Sequence, residues 1–274
     1  MITKKIYKGI INPGKAIEHI ERKLGRQYLF IRYEDPTNPF YEDWDNLIIL
    51  DACRFDIFSE QHTFSGELDY RLSPASGTME WLKKTVEGNN FNDTVYITAN
   101  PRVSRYNESF HKVVPAWKTH WDDELNVTPP QDVTDLTQKV ANEYPHKRIV
   151  SHYMQPHIPF IGDFGRHKIG VYDGVTKGRN RALGNEYSPN EEPYVLLEQG
   201  KIETDTAKKA YRENLRLTLS AIKPLLSELD GKTVVTSDHG ELLGENGWGH
   251  YIGGKEDKLL EVPWLEVSNG EQNE

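Results

Sequence analysis

The apolar residues of the chain gather in short runs with little alternation. "NLIIL" (46–50), "TVYIT" (94–98), "RIVSHY" (148–153) and "TVVTS" (233–237) are the clearest of them. Near-continuous Val, Ile and Leu is what strands buried on both faces show. A fifth run, "VPWLEV" (262–267), reads as a further or edge strand, because Pro263 lies near its start. Helical periodicity occupies the intervals. "GTMEWLKKTVEG" (77–88) spaces Met79, Leu82 and Val86 on one face, with Gly88 as a stop. "DVTDLTQKVANEY" (132–144) does the same with Val133, Leu136 and Val140. The longest segment, 204–231, contains Pro224 as a candidate kink and Gly231 as its end.

Strands alternating with helices predict a mostly parallel sheet covered on both faces, a three-layer α/β/α fold. We expect one domain over 1–274, with a core at about 44–267. Two stretches, 100–131 and 162–200, show no period and are too long for ordinary connections. They are expected as insertions over one end of the sheet, where substrate contacts would lie.

Charge and cysteine usage narrow the partners. The net charge is −9 and no basic face is evident in the sequence, which excludes a nucleic-acid partner. The single cysteine, Cys53, excludes an internal disulfide framework and fits a reducing compartment. No apolar run has the length of a transmembrane helix, and "MITKKIYKGIINPGK" lacks the apolar core of a signal peptide. A cytoplasmic protein without an integral membrane segment is the expectation. No feature sets an oligomeric state.

The chemistry gathers at strand ends. In open α/β sheets, ligands bind outside the carboxyl ends of the strands. "NLIIL" ends in Asp51, "TVVTS" ends in Asp238-His239, and "RIVSHY" runs through His152 towards His157. A further imidazole, His250, follows His239 by eleven residues. Asp and His are ligands for a divalent ion of the Zn or Mn type, so a metal site is expected. Each part alone has an ordinary reading: Asp51 as a helix N-cap, "DHG" as a turn, His152 as a core histidine. The joint pattern favours the metal.

These residues carry a resemblance. "NLIILDACRFD", then "SHYMQPHIPF", then "SDHGELLGENGWGH…VPWL" resemble the alkaline phosphatase superfamily, in its sulfatase-like branch. The long helix with Tyr211 resembles the helix that precedes the Asp-His-Gly-Glu element there. The resemblance implies an alkaline-phosphatase-like α/β fold. It also implies a metal-dependent hydrolase or transferase of phosphate esters, less readily sulfate esters, with a nucleophile at a helix N-terminus. Here that window reads "LSPASGTMEWLKK". Ser76 is the expected nucleophile and metal-bound hydroxyl, with Ser73 and Thr78 as rivals and N-capping as the plainer role. Its spacing to Glu80-Trp81 is similar to that in lipoteichoic acid synthases and phosphoethanolamine transferases.

Under the resemblance, Asp51, Asp238, His239 and the Ser76 hydroxyl bind one divalent ion, Zn or Mn first, Ca or Mg otherwise. His157 and His250 complete a second site or act on the substrate. Two features depart from the wider family. No Cys-x-Pro-Ser-Arg motif is present, so a formylglycine sulfatase is not expected. The position four residues before His157, an Asp in the two-zinc enzymes, is Tyr153. Arg54 either clamps a phosphate or pairs with Asp56 or Glu60. Asn100 is a candidate substrate contact. "RHK" (166–168) and "KGRNR" (177–181) are either solvated charges or contacts for an anionic polymer or lipid headgroup. The expected substrate is a small-molecule, glycan-linked or lipid-linked phosphoester. The competing class is a non-catalytic, sulfatase-like accessory protein that binds a glycan or phospho-ligand.

Overall fold

The computed structural model describes residues 36–171, 175–186 and 193–268. Its seven-stranded sheet is built from β1 (Asn46–Leu50), β2 (Gly66–Leu72), β3 (Phe91–Thr98), β4 (Phe110–Pro115), β5 (Arg148–Tyr153), β6 (Thr233–Ser237) and β9 (Glu261–Val267). A two-stranded ribbon of β7 (Leu242–Leu243) and β8 (Trp248–Gly249) lies between β6 and β9 in the chain. The order across the sheet is β2-β9-β6-β1-β5-β3-β4. The inner pairs are parallel, and β9 runs antiparallel to both of its neighbours. This is the mostly parallel α/β fold that the apolar runs predict.

β1 explains how the two faces are filled. Successive side chains of a strand point to opposite faces. Leu47 and Ile49 pack in a cluster with Trp81, Leu82 and Tyr96, beneath α2 (Thr78–Thr85). Ile48 and Leu50 pack in the other, with Val133, Tyr211, Leu215 and Ile222. Those residues come from α3 (Pro130–Glu143) and α4 (Thr204–Glu228). Helices therefore cover both faces, and strand β1 is buried along its whole length.

α4 continues through Pro224 as one helix, where the sequence suggests a kink. Among the elements with no counterpart in the sequence reading are α1 (Phe55–Gln61), β2 and β4. β2 is a half-exposed edge strand, and so lacks a continuous apolar run. β4 falls inside the stretch 100–131, and pairs in parallel with β3 as the other edge of the sheet. That stretch therefore contributes to the sheet itself. No described helix is long and apolar enough to cross a membrane.

Candidate active site

Strand register brings the site together. Leu50 of β1 is paired with Ser237 of β6 and with Tyr153 of β5. One residue further, Asp51 and Asp238 stand beside each other at the same edge. Ser237 fastens the two loops: its hydroxyl lies 2.5 Å from Leu50 O and 2.6 Å from His239 O, and it accepts from Cys53 N–H at 2.8 Å. Ala52, immediately after Asp51, has φ 58°, a conformation costly for a residue with a Cβ. It is held there from both sides. Its N–H donates to Asp238 Oδ1 at 3.1 Å, and its carbonyl accepts from Tyr211 Oη at 2.7 Å.

Asp51, Asp238 and His239 are buried. His239 Nδ1 lies 2.8 Å from Gly240 O, a group that can only accept, so this nitrogen carries the hydrogen. Nε2 is then a bare lone pair. It stands 3.8 Å from Asp51 Oδ1 and 3.5 Å from Asp238 Oδ2. Both oxygens are buried without a hydrogen-bond partner. Two unsatisfied carboxylate oxygens facing a ring nitrogen, with the three ligand atoms within 4.8 Å of one another, are costly unless a cation lies among them. The set fits a divalent metal of the N/O class.

Other residues hold these ligands in place. Asn100 donates from Nδ2 to Asp51 Oδ2 at 2.7 Å, while its Oδ1 caps the turn at Arg102 N. It is thus a support for Asp51, where the sequence suggests a substrate contact. His152 is fully buried, with Nδ1 3.0 Å from Tyr96 Oη and Nε2 3.6 Å from Asp51 Oδ2. Burial alone would raise the Asp51 carboxyl. The neighbouring imidazoles of His152, His157 and His239 outweigh it and hold the group well below the usual carboxylate range. Burial keeps the His239 ring below its ordinary value, against the pull of Asp238, which favours the neutral ligand form.

The candidate nucleophiles separate clearly. Thr78 Oγ1 lies 3.4 Å from Asp51 Oδ2 and 3.3 Å from His239 Nε2, at the first residue of α2. The Ser76 hydroxyl, expected in that place, is turned away. It donates to Tyr251 O at 2.6 Å and accepts from Gly254 N–H at 2.8 Å, so it fastens the loop after His250. Nor does Ser76 cap the helix, since Gly77 is the N-cap. Ser73 bonds the carbonyls of Ala75 and Asp238. Gly77 has a reason to be glycine: a Cβ there would meet His250 Cδ2 at 3.2 Å.

Beside the ligand triad lies a second group, His157, Glu241 and His250. The rings of His239 and His250 are 4.3 Å apart, and those of His157 and His250 5.4 Å. His250 Nδ1 meets Glu241 Oε1 at 2.9 Å, and Tyr194 donates to Glu241 Oε2 at 2.8 Å. Burial would lower the His250 ring and raise the Glu241 carboxyl. Their mutual attraction reverses both, which favours the carboxylate on Glu241 and the imidazolium on His250. His157 turns Nδ1 to Ile158 O at 2.7 Å, leaving Nε2 for other partners. Tyr153 bonds Thr134 at 2.8 Å.

Two further placements matter. Arg54 does not face the site as a phosphate clamp. Its guanidinium is buried between Asp56, at 2.7 Å, and Glu245, at 2.8 Å. Glu241 is the functional side chain that the sequence reading passes over. It sits two residues after His239 in the quoted motif, and a buried glutamate needs a partner of the kind His250 supplies. Beyond His157 and His250 opens a cleft of about 730 Å³, walled by residues of 101–105, 175–182 and 194–198.

No family model matches the chain, and no curated protein matches it either. Solved structures do. Lipooligosaccharide phosphoethanolamine transferase A from Neisseria meningitidis, an integral membrane protein, aligns over 97% of this chain at 12% identity, with a TM-score of 0.53. The chain spans 59% of that protein's length. The transferase's soluble domain aligns over 82% of this chain and 76% of its own, at 12% identity and TM-score 0.51. A 2-O GAG sulfatase, BT1596, aligns over 81% of this chain and 63% of its own, at 11% identity and TM-score 0.52. At such identities the likeness is one of fold. The chain shares the mostly parallel α/β fold of these proteins, the fold that the resemblance of its motifs implies.

Proposed function

We propose that this chain is a metal-dependent hydrolase or transferase of phosphate esters, sulfate esters second, with Thr78 as its nucleophile. The observation that carries the reading is the convergence of Asp51 Oδ1 and Asp238 Oδ2, both unpartnered, with His239 Nε2, whose neighbour is the Thr78 hydroxyl at a helix N-terminus. The solved structures sharing the fold are named as transferases of phosphoethanolamine and as a sulfatase, which supports the ester class. A non-catalytic accessory protein would have no need to keep three acceptors and a hydroxyl converging.

A divalent ion held by Asp51, Asp238 and His239 would neutralise an anionic ester and make a nearby hydroxyl more acidic. The protein supplies the rest. The N-terminal amides of α2 and the imidazoles of His157 and His250 orient the anionic oxygens. The Thr78 hydroxyl gives up its proton to solvent, and its oxygen forms the new bond to phosphorus as the bond to the leaving oxygen breaks. His250, kept protonated by Glu241, supplies the leaving oxygen with a proton from Nε2. Water or an acceptor alcohol then reverses the sequence at the same position. Asn100 and Tyr211 keep Asp51 in place throughout. The substrate we propose is a small-molecule, glycan-linked or lipid-linked phosphoester.

The test is a panel of aryl phosphate monoesters, diesters and aryl sulfates, assayed with Zn, Mn, Ca or Mg. Turnover should be metal-dependent, and mass spectrometry should find the trapped group on Thr78 within "LSPASGTMEWLK". Absence of turnover with every metal would overturn the activity. A group trapped on Ser76 would overturn the nucleophile.

A further inference from the structure

We propose that the cleft beside the site binds a second anionic group of the substrate, so that the preferred substrate carries at least two phosphate, sulfate or carboxylate groups. This rests on the phosphoester reading above and specifies its substrate class.

The cleft contradicts the charge of the whole molecule. The net charge is −9, yet Arg102, Arg105, Lys177 and Arg181 line one cavity together with His157 and His250. Among the described residues, Glu198 is the only acid in the lining. The four cations come from two elements far apart in sequence, the 3-10 helix Pro101–Ser109 and the helix Thr176–Leu183, which pack against each other.

The four are also free to bind. Arg54, Arg71, Arg166 and Arg212 each pair with a carboxylate. Among the described residues, none of the four cleft cations has such a partner. Arg179, on the same helix as Lys177 and Arg181, is occupied by the Trp121 ring at 4.6 Å. That helix thus keeps one cation for packing and presents two to the cleft. Unpaired guanidinium groups are bidentate receptors for phosphate and sulfate. A cleft of one sign with protein walls concentrates its field and raises the local level of an anionic substrate. The volume, about 730 Å³, is that of a site for a whole small ligand and exceeds what one reacting phosphoryl group needs.

Two double variants, Lys177→Ala with Arg181→Ala and Arg102→Ala with Arg105→Ala, are compared with the unaltered protein. Calorimetry on the protein as purified measures binding of glucose 1-phosphate and of glucose 1,6-bisphosphate. The bisphosphate should bind at least about tenfold tighter, and each double variant should reduce that preference to about threefold or less. Sedimentation with phosphatidylglycerol vesicles provides the lipid arm. Binding to vesicles alone, lost in both variants, would place the second anion on a lipid headgroup. Equal binding of mono- and bisphosphate together with no vesicle binding would overturn the proposal, as would a preference that survives both variants. Because binding is read without turnover, failure here is distinct from failure of the catalytic reading.

Discussion

Two groups of ionisable side chains stand ring against ring at the carboxyl edge of the sheet, His239 and His250 being 4.3 Å apart. They are finished differently. In the Asp51, Asp238, His239 group the supporting bonds are all made on the far side: Asn100 to one Asp51 oxygen, Ala52 N–H to one Asp238 oxygen, Gly240 O to one His239 nitrogen. On the near side, Asp51 Oδ1 and Asp238 Oδ2 are left without partners, and His239 Nε2 has only the Thr78 hydroxyl. In the His157, Glu241, His250 group the near-side atoms satisfy one another, with Glu241 taking His250 on one oxygen and Tyr194 on the other. The first group leaves two carboxylate oxygens open, whereas the second pairs Glu241 with His250 and leaves only ring nitrogens open. This difference is the ground on which we propose the metal for the first group and proton transfer for the second.

The largest expected effect tests the first group. Asp238→Asn should lower turnover by about 10³-fold or more and abolish the thermal stabilisation produced by Zn or Mn. The metal-free variant should melt no lower than the metal-free parent, because it removes one of two buried, facing carboxylates. A metal-free variant several degrees less stable would mean that Asp238 has an internal partner, and the contrast between the groups would fail.

Next comes the hydroxyl. Thr78→Ala should lose about 10²-fold or more in kcat with metal content unchanged, while Thr78→Ser retains most activity. Ser76→Ala should leave turnover within a few-fold. It should cost about 1–3 kcal/mol of stability in urea titration, since the Tyr251 carbonyl and Gly254 amide lose their partner. The reverse result would restore Ser76.

A smaller effect falls on the second group. Glu241→Gln should reduce kcat about 10–100-fold and leave metal stoichiometry, read by elemental analysis, at one ion per chain. A fall from two ions to one would show that His157, Glu241 and His250 hold a metal of their own.

What the sequence made legible follows from how each part is built. The residues of the first group end strands buried on both faces, whose apolar runs are visible without a structure, and register then aligns Asp51 with Asp238. Strand β2 was invisible because an edge strand, half exposed, mixes polar and apolar residues. Ser76 and Thr78 differ by two positions, and only the path of the chain through Gly77 decides which one faces the triad. The basic wall was illegible for a related reason: Arg102 and Arg181 are neighbours of one cleft through packing, and no local pattern announces it. For Arg54 the sequence offers Asp56 as a partner beside the phosphate-clamp role, but Glu245, the second partner, lies too far along the chain to be read from it.

That ion pair supplies the smallest prediction. Burial would raise the Asp56 carboxyl, but Arg54 and Lys258 lower it from the ordinary 3.8 to about 2. A depressed folded-state value means that Asp56 contributes stability in full above pH 3.8 and loses it as the pH falls towards 2. Its side chain is 35% exposed, so solvent screens the pair and the contribution should stay below about 1 kcal/mol. The stability difference between the parent and Asp56→Asn, from urea midpoints, should be constant from pH 7 to 5. It should shrink from pH 4 to 3 and be smaller in high salt. A difference that holds steady through pH 3 would mean that Asp56 titrates normally and that Arg54 is not committed to it. The guanidinium would then be free to turn towards the site, and the phosphate-clamp role suggested by the sequence would return.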